Sequence, residues 1–179
     1  MQHFEFTIVA SGLDPDTDDF EDRFFEAGCD DATIAFVKGR IVVEFEREAR
    51  NFGHALASAI SDVRKAGASV QRIEPDPLVN LSDIAERSGL TRSAASLYAQ
   101  AKRGEGFPAP VARVTTESPL WNWVEVARWM FRRRSLRLGE VVRARLVQYA
   151  NLAVRNAEGR LRPTASGQKI VSELGIVAL

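Results

Sequence analysis

The stretch Leu81-Ser82-Asp83-Ile84-Ala85-Glu86-Arg87-Ser88-Gly89-Leu90-Thr91-Arg92-Ser93-Ala94-Ala95-Ser96-Leu97-Tyr98 holds two helix starts and one helix stop in close succession. Ser82 is placed to cap a first short helix, because its hydroxyl can accept a bond from the amides that an opening turn leaves unpaired. Gly89 sits where that helix must end, since glycine takes the left-handed backbone conformation without a steric cost. Thr91 is then the cap of a second helix, with an inner face of Ala94 or Ala95, Tyr98 and Ala101. Ala85 is small, so the two helices can cross closely.

Two short helices joined in this way form a helix-turn-helix. Downstream, Arg103-Gly104-Glu105-Gly106-Phe107-Pro108-Ala109-Pro110 leads into two expected short strands, residues 111–114 and 120–123, with 115–119 as the tip between them. Trp123, Glu125, Val126 and Trp129 then fall on a helix. Residues 80–134 therefore resemble the winged helix-turn-helix of bacterial and phage regulators, especially the excisionase/AlpA and MerR-like types. The likeness rests on Gly106-x-Pro108-x-Pro110 before the wing and Trp123-x-x-Val126-x-x-Trp129 after it. It implies binding of double-stranded DNA, without a cofactor, and it leaves the first 79 and last 45 residues outside.

Groove chemistry assigns the contacts that this resemblance calls for. Thr91, Arg92, Ser93, Ser96 and Gln100 are expected on the outer side of the second helix, which in such folds enters the major groove by its N-terminal end. Arg92 is the first choice for guanine, whose O6 and N7 match the guanidinium fork, and Gln100 suits adenine. Lys102, Arg103 and, in the wing, Arg113 are expected at flanking phosphates or the minor groove, and Ser82 at another phosphate. An ordinary solvated helix face is the competing reading of these polar side chains. Trp121, Trp123 and Trp129 read as core anchors rather than base-stacking platforms.

Charge divides the chain. Residues 1–77 carry 16 Asp and Glu against 8 Lys and Arg, and residues 78–179 carry 8 against 16, so a total of zero conceals −8 followed by +8. This asymmetry suggests units with different partners. The boundaries read from sequence are an acidic domain at 1–77, the DNA-binding domain at 78–135, and a helical segment at 136–179 with a dimerising role.

The acidic part reads as strand, helix, strand, strand, helix, strand. Phe4, Phe6, Ile8 and Ala10 alternate with polar residues, the period of a half-buried strand. Asp18 is a candidate cap for a helix that buries Phe20, Phe24 and Phe25 and stops at Gly28, with Glu21 completing a capping box. Residues 33–37 and 40–46 form strands around Lys38-Gly39. Asn51 caps a second helix burying Phe52, Leu56, Ile60 and Val63, and residues 70–73 form the last strand. The order matches a ferredoxin-like βαββαβ sandwich, so the expected class is α+β. Glu74-Pro75-Asp76-Pro77 reads as a linker.

Past residue 135, Leu138, Val142, Leu146, Tyr149 and Ala153 recur at helical spacing and offer a stripe for a second copy of the chain. Thr164 is a candidate cap for a short last helix carrying Ile170, Val171 and Leu174. Arg132-Arg133-Arg134, with Arg137, Arg143 and Arg145, is the densest basic region. Three readings stand: it contacts DNA phosphates, it pairs with the acidic domain, or it is a solvated face.

Little in the sequence points to catalysis or to a metal. His3 and His54 lack metal-ligand spacing, Cys29 has Asp30 and Asp31 rather than a base beside it, and no phosphate loop or nucleophile elbow occurs. The acids between Asp14 and Asp22 lack the central glycine and closing glutamate of a calcium loop. A lone cysteine, an N-terminus unlike a secretory signal and the absence of a long apolar run suggest a cytoplasmic protein. The expected function is a sequence-specific transcriptional regulator, acting as a repressor and a homodimer. The alternative is an antitoxin or adaptor whose acidic domain binds a basic partner protein, with DNA binding for autoregulation.

Overall fold

A computed structural model of the chain describes residues 1–157. They form a mixed α+β protein of two compact units, one comprising Met1–Pro75 with the described residues 149–157, the other Asp76–Gln148. The helix expected around Ile170, Val171 and Leu174 lies outside the described residues.

The first unit runs β1 (Gln2–Ser11), α1 (Phe20–Ala27), β2 (Ala32–Val37), β3 (Arg40–Ala49), α2 (Phe52–Lys65) and β4 (Ser69–Glu74). The strands form one sheet in the order β2-β3-β1-β4, with every neighbouring pair antiparallel. Alternation sorts the side chains. Phe4, Phe6, Ile8 and Ala10 of β1 and Ile41, Val43 and Phe45 of β3 are buried, while Glu5, Glu44, Glu46 and Glu48 between them are exposed. Phe52 of α2 packs against Phe4 and Phe6, with ring centroids 5.8 and 5.7 Å apart. Lys38 and Gly39 both have positive φ, the geometry that closes a two-residue hairpin between β2 and β3.

Arg47 of β3 ties the sheet to α2 and to the loop between α1 and β2. All five of its N–H groups are used: Nε and Nη2 reach Asp31 at 2.8 Å each, Nη1 reaches Asp62 at 2.7 Å and Ser58 at 3.0 Å, and Nη2 also reaches the Gly28 carbonyl at 2.6 Å. Burial alone would lower the affinity of this guanidinium for its proton, but the bonds from Asp31 and Asp62 outweigh it and raise that affinity.

Two details of α1 differ from the sequence reading. Phe25 is exposed, because an eight-residue helix with Phe20 and Phe24 on its inner side turns the next residue outward. Asp19 rather than Asp18 holds the N-cap position, and its carboxylate accepts from Arg23 Nε at 2.7 Å instead of from a backbone amide. That charge-assisted bond is the stronger option, and it holds the Asp19 carboxyl below its ordinary range.

The second unit contains β5 (Leu78–Val79), α3 (Leu81–Ser88), α4 (Arg92–Ala99), β6 (Trp121–Asn122) and α5 (Trp123–Arg132). It is joined by the first part of α6 (Leu138–Ala157). β5 follows at once on the Pro75–Pro77 stretch and pairs antiparallel with β6, with Val79 opposite Trp121.

On α6 the inward face is Val141, Ala144, Val147, Ala150, Asn151 and Val154. The stripe expected from the larger residues, Leu138 and Val142 with Leu146, Tyr149 and Ala153, lies on the opposite side, where Leu138 and Val142 are exposed. The helix carries two apolar stripes, and the one with alanines and an asparagine is buried. Asn151 explains part of that choice. Its Oδ1 accepts from Ile73 N at 2.9 Å and its Nδ2 donates to Ile73 O at 2.8 Å, satisfying the outer edge of β4 as a neighbouring strand would.

Candidate nucleic-acid interface

The turn between α3 and α4 is built from local bonds. Asn80, not Ser82, caps α3: its Oδ1 accepts from Ser82 N at 2.7 Å and Asp83 N at 3.1 Å, and Asp83 Oδ2 accepts from Asn80 N at 2.8 Å. Asp83, three residues after Asn80, completes the reciprocal capping box, which a start at Ser82 would forgo. Gly89 closes α3 with φ of 65°, and Leu90 N donates to Ala85 O at 2.9 Å. Thr91 caps α4 by accepting from Ala94 N at 3.2 Å.

Ile84, Ala85 and Ala95 are buried where the two helices meet, and Tyr98 continues the inner side of α4. Ala101 does not. It lies beyond the end of α4, exposed and with φ of 54°, because the chain turns back there and Leu97 O takes the amides of both Lys102 and Arg103.

Residues 104–108 wrap an aromatic cluster of Tyr98, Phe107, Trp121 and Trp129. Tyr98 meets Trp129 edge to face at 5.0 Å, and Phe107 meets Trp129 likewise at 5.1 Å. The indole of Trp129 donates to Glu105 O and that of Trp121 to Pro108 O, each at 3.1 Å. Gly104, at φ of 73°, lies so close that a Cβ there would stand 2.9 Å from both rings of the Tyr98–Trp129 pair. Trp121, Trp123 and Trp129 are buried core residues.

The wing is shorter than two regular strands. Residues 111–114 and 120–123 meet only in one bridge, Ala112 opposite Leu120, with Leu120 N donating to Ala112 O at 2.8 Å. Pro110 and Pro119 flank the bridge and have no N–H to extend it, and Arg113 at φ of 52° bends the chain out of extension. Trp123 belongs instead to α5, capped by Asn122, whose Oδ1 accepts from Val124 N at 3.0 Å.

On this frame Arg92 and Ser93 stand exposed in the first turn of α4, beside the capping Thr91. Ser96 is half-buried and accepts from Gln100 Nε2 at 3.0 Å; this leaves the Gln100 carbonyl oxygen and one amide hydrogen. Ser82, Lys102, Arg103 and Arg113 are exposed, Ser82 on α3, Lys102 and Arg103 just after α4, and Arg113 in the wing turn. No acidic residue lies on α4. Leu97 is the residue that the sequence reading passed over: it is 40% exposed among these polar groups. Helical spacing could have found it, since two positions from Ala95 lies on the far side of the helix.

In the first unit Arg23, Arg47, Lys65 and Arg72 are each set against an Asp or Glu, and among the described residues Lys38, Arg40, Arg50 and Arg64 form no ion pair. In the second, among the described residues, none of Arg92, Lys102, Arg103, Arg113, Arg132, Arg133 and Arg134 forms an ion pair. Also among the described residues, no cluster of His, Cys, Asp or Glu is placed to hold a metal ion, and no helix is long and apolar enough to cross a membrane. Comparison with known proteins finds no matching family model, no similar curated protein and no similar solved structure.

Proposed function

We propose that the chain is a sequence-specific regulator that binds double-stranded DNA through a winged helix-turn-helix in its second unit. The observation that carries this reading is the outer side of α4: Arg92, Ser93 and Gln100 face solvent around Leu97, no carboxylate lies on the helix, and the arginines nearby are left without acidic partners among the described residues. Short hydrogen-bonding side chains at the start of an exposed helix suit base edges, and unpaired cations suit phosphates. The single-bridge wing and the tryptophan helix agree with the winged form, and the β2-β3-β1-β4 order supports a ferredoxin-like sandwich for the first unit.

The regulator acts as a homodimer and a repressor in this reading, since one module buries too little surface for tight specific binding. Leu138 and Val142, exposed on α6, supply the apolar surface for the second copy. The test is selection of bound fragments from the source genome with the full chain and with Arg92→Ala. Recovery of one enriched sequence by the wild type, lost in the variant, supports the reading. Uniform recovery of the genome by both would refute sequence-specific recognition by α4.

The exposed face of the β-sheet favours a second role. Glu5 lies directly opposite Glu46, with Glu44 and Glu48 on the same side of β3. Like charges set opposite one another cost stability, and a basic protein partner would relieve that cost. An adaptor or antitoxin role follows if Glu5→Gln with Glu46→Gln abolishes binding of such a partner and leaves DNA binding intact.

A further inference from the structure

We infer that Arg103 and Arg133 form one clamp for the phosphodiester backbone of duplex DNA, a site that rests on the DNA-binding reading of α4. The two residues are far apart in sequence, one just after α4 and the other at the C-terminal cap of α5. The fold brings them to a single pair of rings. Arg103 Cζ stands 5.4 Å from the centroid of Tyr98, Arg133 Cζ stands 4.9 Å from that of Trp129, and the two rings are 5.0 Å apart. The guanidinium carbons are therefore at most about 15 Å apart, close enough for both to reach the backbone of one duplex, whose grooves are about 6–12 Å wide.

Three features make this a built site rather than loose surface charge. A guanidinium lying over a ring is held in place by the π-face, and its hydrogen-bonding edge stays free for a phosphate. The rings themselves are fixed, since Trp129 is tied to Glu105 O and Gly104 packs too close to the pair to carry a side chain. Among the described residues no carboxylate neutralises either arginine, although both are exposed. Lys102, next to Arg103, is exposed as well and adds a third cation without a carboxylate partner among the described residues.

The test is the salt dependence of binding to a labelled mixed-sequence duplex, followed by fluorescence anisotropy with the full chain. Each phosphate contact contributes about 0.9 to the slope of log K against log salt. Arg103→Ala and Arg133→Ala should each lower the slope by about 0.9, and the pair by about 1.8. Arg103→Gln and Arg133→Gln, which keep a planar amide over the ring, should do the same and serve if an alanine variant fails to fold. Arg64→Ala, on the exposed side of α2, should leave the slope unchanged. Wild-type binding with a steep slope that the double variant retains would overturn the clamp and leave the α4 reading standing. An equal loss in Arg64→Ala would overturn it as an effect of net charge. A wild type with no salt-sensitive binding to any duplex removes both the clamp and the reading beneath it.

Discussion

Replacing Gly104 by alanine tests how the second unit is held together, because two separable costs fall on one methyl group. The first is conformational: at φ of 73° an L-residue costs about 1–2 kcal/mol over glycine. The second is steric. The new Cβ would stand 2.9 Å from Trp129 Cη2 and Cζ2 and from Tyr98 Cδ1, well inside the usual carbon contact of about 3.5–4.0 Å. Trp129 cannot slide away without stretching its bond to Glu105 O, so the loop or the rings must shift, at about 1–3 kcal/mol for an overpacked core. The expected total is about 2–5 kcal/mol. Gly89 is the control. Its φ of 65° carries the same conformational cost, but nothing lies within 4 Å of its Cβ position, so Gly89→Ala should cost only about 1–2 kcal/mol. Urea unfolding followed by tryptophan fluorescence reads this unit alone, since all three tryptophans lie in it. Equal losses in the two variants would refute the packing of the 104–108 segment on the Tyr98–Trp129 pair.

Three further outcomes concern the first unit, whose unfolding is the part of the circular dichroism change that tryptophan fluorescence does not follow in the same titrations. Arg47→Ala leaves Asp31 and Asp62 without their shared cation and should cost about 3–5 kcal/mol, and Arg47→Lys should not rescue it, because one ammonium cannot reach five acceptors; a loss below about 1 kcal/mol would contradict this. Asn151→Ala strips Ile73 of both its partners and should cost about 1–3 kcal/mol; protection of the Ile73 amide from hydrogen exchange should fall, and unchanged protection would refute the role given to Asn151. Burial, with Asp62 nearby, pushes the Cys29 thiol up from 9.0 to about 11, so at pH 8 labelling by a thiol reagent should run about 100-fold slower than in urea. Because the folded value is raised, this group favours the folded state fully below pH 9.0, and that contribution is lost as pH rises toward about 11.

The elements that sequence made legible are those defined by local chemistry. Asn51, Gly89 and Thr91 mark helix boundaries through bonds to residues within four positions, so the pattern was visible without the fold. The alternation of β1 and the Lys38-Gly39 turn were visible for the same reason. What escaped the reading depends on partners distant in sequence. Nothing near Asn151 announces that Ile73 needs its amide, and so the small-residue side of α6 was passed over for the larger stripe. β5 exists only because Trp121 and Asn122 lie opposite Leu78 and Val79. Arg103 and Arg133 become a pair only when Tyr98 and Trp129 meet. Leu97 and Ser82 are different. Helical spacing places Leu97 outside, and Asn80-x-x-Asp83 is a local capping pattern, so both features are readable from the residues alone.

Site-directed cross-linking asks most directly whether the start of α4 meets DNA. Ser93→Cys carries a photoactivatable group at the exposed first turn of α4, and the native Cys29, buried with a raised thiol, stays unlabelled. Glu48→Cys places the same group on the exposed face of β3. Base recognition by α4 gives cross-links from position 93 to bases at one register of a selected duplex, and none from position 48. Cross-links from position 48 alone, or equally from both, would contradict it.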